Sequence, residues 1–133
     1  MGGLSLFDIA GRAMSAQLVR LNTTASNLAN AGSVSATADG AFRSLKPVFE
    51  TVYDAADRAT VRVTSVVGAG PPPAMRSDPG NPLADKDGHV WDSNVDETAE
   101  LVEMVEATRQ YQNNVELLGA AKTLMLDTLR LGQ

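Results

Sequence analysis

The sequence predicts a mainly α-helical protein with a small β part. Long N- and C-terminal helices pair in coiled-coil fashion, as one discontinuous helical domain, around a β-hairpin and loop middle region. Three observations carry this. All six prolines lie between Pro47 and Pro82, so both ends are free of the strongest helix breaker. Each end shows apolar residues in alternating steps of three and four behind a capping sequence. Two runs in the middle alternate with period two. Residues 1–35 and 94–133 therefore form the helical assembly domain, and 36–93 the hairpin and Pro/Gly-rich loop region.

The first helix starts near Leu6, because Ser5-Leu-Phe-Asp8 is a capping box and an acid in the first turn suits the helix dipole. Phe7, Gly11, Met14, Leu18, Leu21, Ala25 and Leu28 then recur along one seam. Small residues, Ala10, Ala13, Ser15 and Ala16, flank that seam and let another backbone come close. Gly32 is the expected stop.

Lys46 to Tyr53 and Thr60 to Val67 are rich in β-branched and aromatic residues and read as a hairpin closed by the polar Asp54 to Ala59. Phe42, Phe49, Tyr53 and Trp91 are candidates for a satellite core beside it. Gly68 to Gly88 reads as loop or extended chain, stiffened by Pro71-Pro-Pro73.

An Asn-led capping box, Asn94-Val-Asp-Glu97, opens the last helix, with Asp96, Glu97, Glu100 and Glu103 in its first turns. One stripe follows Leu101, Met104, Thr108, Tyr111, Val115, Leu118, Met125 and Leu129; a second follows Leu117, Ala121, Leu124, Thr128 and Leu131. Such a helix is about 50 Å long, against about 37 Å for the first, at ~1.5 Å per residue. Pairing the two uses one stripe of each. The surplus apolar surface implies self-assembly or a large partner, since burial yields about 25 cal/mol per Å².

Composition narrows the function. Sixteen acids against eleven bases give a net charge of −5, with nine acids and the single base Lys86 between Asp78 and Glu106, which disfavours nucleic acid. The chain has no cysteine and one histidine, so thiolate and His-rich metal sites are out of reach. Met1 to Asp8 lacks a basic n-region and a long apolar core, so no cleaved secretory signal is expected. No apolar run approaches a membrane span.

Possible chemistry is sparse. Asp85-Lys-Asp87-Gly88 has the flavour of a calcium loop, but its glycine comes too early and no bidentate Glu follows, so a plain turn is the better reading. His89 has no nucleophile motif beside it, and a hydrolase using His89 with Asp85 or Asp87 is the weakest hypothesis. Glu97, Glu100, Glu103 and Glu106 read as a solvated or inter-subunit salt-bridging face. The sequon Asn22-Thr-Thr24 falls inside a helix, a poor acceptor context. Two asparagines in one helix, Asn27 and Asn30, either mark a fraying end or bond across an interface. No catalytic residue, cofactor, metal or small-molecule substrate is assigned.

Ala25-Ser-Asn-Leu-Ala-Asn30, preceded by Phe7-Asp-Ile-Ala-Gly11 and Leu21-Asn-Thr-Thr24, closely resembles the N-terminal signature of flagellar basal-body rod proteins. Asp78-Pro-Gly-Asn-Pro82, Ala84 to Val90, Asn94-Val95, Tyr111 to Glu116, Ala121-Lys122 and Met125 resemble the proximal-rod members in particular. Ser93 stands where proline is expected, and Asn81 where histidine is common. The resemblance spans essentially the whole chain.

It implies a structural subunit of the periplasmic drive shaft, exported by the flagellar type III apparatus without signal cleavage. Implied partners are copies of itself, other rod proteins, the basal-body adaptor at the membrane ring and the export apparatus. Interface candidates are the seam residues Phe7, Met14, Leu18, Leu21, Leu28, Leu101, Met104, Tyr111, Val115, Leu118, Leu124, Met125, Leu129 and Leu131, with Asn27, Asn30, Asn113 and Asn114 as polar contacts. Leu4 to Ile9 is the candidate export element. The alternative is a soluble coiled-coil adaptor or export chaperone.

Overall fold

The computed structural model describes residues 5–132. In chain order its elements are α1 (Leu6–Ala29), β1 (Val34–Ser35), β2 (Ser44–Tyr53), β3 (Ala59–Ala69), β4 (Met75–Ser77), β5 (His89–Asp92) and α2 (Glu97–Leu131). The parts of the signal and export-element readings that fall on Met1–Leu4 lie outside the described residues.

Helix α1 begins where the capping box places it. The Asp8 amide donates to Ser5 Oγ at 3.1 Å and the Ser5 amide to Asp8 Oδ2 at 3.0 Å. The helix ends earlier than Gly32: Asn30 terminates it, its Nδ2 donating to the Ser26 carbonyl at 2.9 Å and competing with the helical ladder. At the other end the expected Asn94 box does not form. Asp96 is the N-cap of α2, accepting from the Ala99 amide at 3.2 Å, because the Asn94 side chain is engaged elsewhere.

The hairpin β2–β3 forms as expected and extends beyond the alternating runs, with a bulge between Val48 and Phe49 in the pairing. Its turn is organised by Asp54, whose Oδ1 accepts the Ala56 and Arg58 amides at 2.9 Å each, while Asp57 takes φ 58°. The expected satellite core is only half made. Phe42 and Trp91 are half-buried, whereas Phe49 and Tyr53 are exposed, because a two-stranded sheet packs on its neighbours with one face only.

A second sheet went unread. Strands β1, β5 and β4 form an antiparallel sheet in that order around the fully buried Val90. The extended chain expected within Gly68 to Gly88 includes paired strand: β3 runs on to Ala69 and β4 lies within it. Both outer strands are too short to show a period.

Helix α1 packs on α2 and on both strands of the hairpin. The two helices are antiparallel: Arg20 of α1 meets Glu103 and Glu106 of α2, while Asn27, further on, meets Ser44, which bonds Glu100, further back. On α2 the buried and half-buried positions include Glu100, Met104, Ala107, Tyr111, Asn114, Leu118 and Ala121, in steps of four and three. On α1 the buried residues are small: Ala10, Ala16, Thr23, Thr24 and Asn27. Full burial on α1 thus falls on small residues, while Met14, Leu21 and Leu28 of the N-terminal seam are half-buried.

Candidate functional site

A polar joint ties the helices to the hairpin. Asn27 is 0% exposed, and its side chain mimics a strand partner: the Leu45 amide donates to Oδ1 at 2.8 Å and Nδ2 donates to the Leu45 carbonyl at 3.0 Å. Nδ2 also reaches Ser44 Oγ at 3.2 Å, and that hydroxyl donates to Glu100 Oε1. Glu100, 3% exposed, is paired with Lys46 Nζ at 3.2 Å. Asn94 completes the joint, accepting the Ser44 amide at 2.6 Å and donating to the carbonyls of Ala69 and Pro71. Gly70, at φ +88°, lies so close that a Cβ there would sit 3.0 Å from Asn94 Nδ2.

These bonds bear on two expectations. Asn27 is buried and bonded to Ser44 and Leu45 of its own chain, and Asn30 Nδ2 bonds locally to Ser26. Of the four carboxylates, Glu97 and Glu106 are exposed as expected, while three of the four have partners within the chain. Glu103 accepts from Arg20 Nε, Glu106 lies 3.6 Å from the same guanidinium, and Glu100 is buried on Ser44 and Lys46. The hydrogen bond from Arg20 holds the Glu103 carboxyl below the usual range of a glutamate, and the same bond raises the Arg20 guanidinium.

The apolar candidates divide into two groups. Phe7, Met14, Leu21, Leu28, Met104, Tyr111 and Leu118 are half-buried. Leu18, Leu101, Val115, Leu124, Met125, Leu129 and Leu131 are exposed, Leu124 at 67% and Leu131 at 89%. Ala121 is the last buried residue of α2, and every residue from Lys122 to Gly132 is exposed. Helix α2, with 35 residues against 24 in α1, overhangs its partner. Asn113 is exposed and Asn114 half-buried, and among the described residues neither side chain makes a hydrogen bond.

Two further surfaces escaped the sequence reading. Leu101, Val102 and Val105 form an apolar patch beside Glu106 and Arg109. The V-x-x-V spacing of Val102 and Val105 was its signal. An open groove of about 710 Å³ also runs between α1 and the hairpin, lined among others by Phe7, Gly11, Arg12, Val19, Val52 and Val63. It arises only when α1 lies on the strands, so no local pattern announces it.

The Asp85–Gly88 segment is a turn. Asp85 Oδ1 accepts the amides of Asp87 and His89 at 2.9 Å each, and Gly88 takes φ +78° against Pro79. The turn brings oxygens of Asp85 and Asp87 and a nitrogen of His89 within 4.8 Å of one another. Nearby, Arg76 forks onto Asp92 and reaches Asp78, which raises its guanidinium through the Asp92 hydrogen bond first. Among the described residues no helix is long and apolar enough to cross a membrane.

Paired terminal helices, joined to a β middle and carrying apolar surface their own chain leaves uncovered, make a structural assembly subunit. Two family models match it: "Flagella basal body rod protein" over residues 7–34 and "Flagellar basal body rod FlgEFG protein C-terminal" over residues 86–131. The class is the flagellar basal-body rod proteins.

Individual relatives sharpen this. The chain is 46% identical to the flagellar basal-body rod protein FlgC of Yersinia enterocolitica and 47% to that of Salmonella typhimurium, with all of both chains covered in each case. It is 38% identical to the FlgC of Aquifex aeolicus over 88% of this chain and 87% of the relative. The chain belongs to the FlgC family of flagellar basal-body rod proteins, as a structural subunit of the basal-body rod, where it resides.

Proposed function

We propose that this subunit builds the rod by burying its exposed helix surfaces against neighbouring subunits in coiled-coil fashion, so that the rod transmits torque as a drive shaft. The single observation that carries this is the overhang of α2, whose Leu124, Met125, Leu129 and Leu131 are exposed on a helix whose in-chain seam ends at Ala121. Leu18, Leu101 and Val115 extend the same contact surface, and the half-buried Phe7, Met14, Leu21, Leu28, Met104, Tyr111 and Leu118 stiffen the pair beneath it. Asn113 and Asn114 supply polar contacts. In this scheme residues 1–35 and 94–133 are the assembly domain, and 36–93 lies outside or between neighbours.

Axial neighbours are copies of the chain, other rod proteins and the basal-body adaptor at the membrane ring. The subunit travels through the flagellar type III export apparatus without signal cleavage, and it performs no catalysis. Redundant apolar and polar contacts along many helices are what resist shear in a rotating shaft.

The test is electron microscopy of basal bodies from a deletion strain, with a swimming assay and complementation. Rings without a rod, with rods and swimming restored by the intact gene, are expected. Complete rods in the deletion strain would overturn the proposal.

A further inference from the structure

We infer that the overhang of α2 docks into the groove between α1 and the hairpin of a second copy, antiparallel to that copy's α1, with Asp127 on Arg12 and Arg130 on Asp8. The inference rests on the assembly proposed above and gives it a register. Lys122 to Leu131 is about 14 Å long at 1.5 Å per residue, and the groove from Phe7 to Val19 is about 18 Å, so the segment fits. Its apolar residues match a groove floored by Phe7, Val19, Val52 and Val63.

Charge decides direction and register. Arg12 makes no ion pair within 4.0 Å among the described residues, its charge reaching Asp8 one turn before it only at longer range, and the overhang's own pair, Asp127 with Arg130, is stretched to 4.0 Å. An antiparallel helix meets Asp8 and then Arg12 with Arg130 and then Asp127, opposite charges at both places. A parallel helix sets acid on acid and base on base. Gly11 lies level with Thr128 in this register, and a Cβ at Gly11 meets nothing within 4 Å. Glycine is among the least favoured residues inside a helix, and its own chain leaves the space there open.

The antiparallel direction also follows if both copies share one polarity, since α2 runs antiparallel to its own α1. Extrapolating from Arg20 beside Glu103 and Glu106, position 12 lies level with about positions 111 to 114 of its own α2. Bringing Asp127 to that level offsets the copies by about 13 to 16 residues, or about 20 to 24 Å along the axis. The contact is heterologous and staggered, so it propagates from copy to copy instead of closing on a pair.

The chain has no cysteine, which makes cross-linking clean. The full chain carrying Gly11→Cys and Thr128→Cys together replaces the natural one in cells, basal bodies are isolated and mildly oxidised, and products are separated without reductant. A disulfide needs Cα atoms about 4.4–6.8 Å apart. A ladder of dimers and higher multiples from the double variant, with none from either single variant, is expected.

Monomer alone from the double variant, with the chain present in the basal bodies, overturns the docking and leaves the rod role intact. Dimers from a single variant overturn it in favour of a two-fold contact. If the double-cysteine chain does not incorporate, Arg12→Asp and Asp127→Arg decide: each alone should lose incorporation, and the two in one chain should regain it. Normal incorporation of both single variants, or no recovery when they are combined, overturns the register.

Discussion

Asn27 shows how one side chain can join two elements. Its amide closes both hydrogen bonds to the Leu45 peptide from inside a helix, in a place where water does not reach. Replacing it by alanine strands a buried amide and carbonyl, at about 1–3 kcal/mol for an unsatisfied buried group. Asn27→Ala is expected to lower unfolding stability by roughly 2 kcal/mol in urea titration, and an unchanged midpoint would contradict the joint. The presence of Asn27 was legible as an anomaly in a helix pattern. Its partner was not, because Ser44 and Leu45 become neighbours only when the hairpin folds back on α1. Asn94 misled for the same reason: its local spacing fits a cap, but three backbone groups in β2, β3 and the following loop hold its side chain.

At the scale of elements, α1 and α2 are locked by charge at one end and left unmatched in length at the other. Glu103 is held below its ordinary range by the hydrogen bond from Arg20, so it binds fewer protons folded than unfolded around that range. Its stabilisation is therefore full above the unfolded value and is lost as pH falls through the folded one. Melting temperatures should drop on acidification into the carboxylate range, and Glu103→Gln should flatten that part of the profile; an identical profile in the variant would remove Glu103 as a source. At the far end, Leu124→Asp or removal of residues 124–133 is expected to block incorporation into the rod while leaving in-chain packing to Ala121 intact. A rod built from either variant would show that this end is not a buried assembly surface.

The whole molecule has little core for its size. Among the described residues the buried apolar ones are Ala10, Ala16, Ala107 and Ala121 on the helices, Ala41 in the loop before β2 and Val90 in the second sheet, while the Leu and Met side chains keep contact with solvent. Ordering a residue's backbone costs about 1–2 kcal/mol, and alanine packing offsets little of that. In a dilute monomer the terminal helices should exchange their amides quickly, and the same amides should become protected in the assembled rod. Strong protection in the dilute monomer would instead make the helix pair stable by itself.

The two terminal helices, the capping box at Ser5, the hairpin and an excess of apolar surface are legible in the chain itself, because spacing, caps and β-branched alternation are local signals. The motifs around Ala25 to Asn30 and Asp78 to Val90 also carry the resemblance to its family. Which stripe is covered depends on how the elements pack. The antiparallel packing of α1 on α2 chooses small residues for close approach and turns Leu18, Leu101 and Leu124 outward. It also converts Glu100, Glu103 and Glu106 from an apparent surface run into in-chain partners of Lys46 and Arg20. Periodicity ranks the faces of one helix, but which face meets another helix depends on how near two backbones can come, and that is settled only when both are in place.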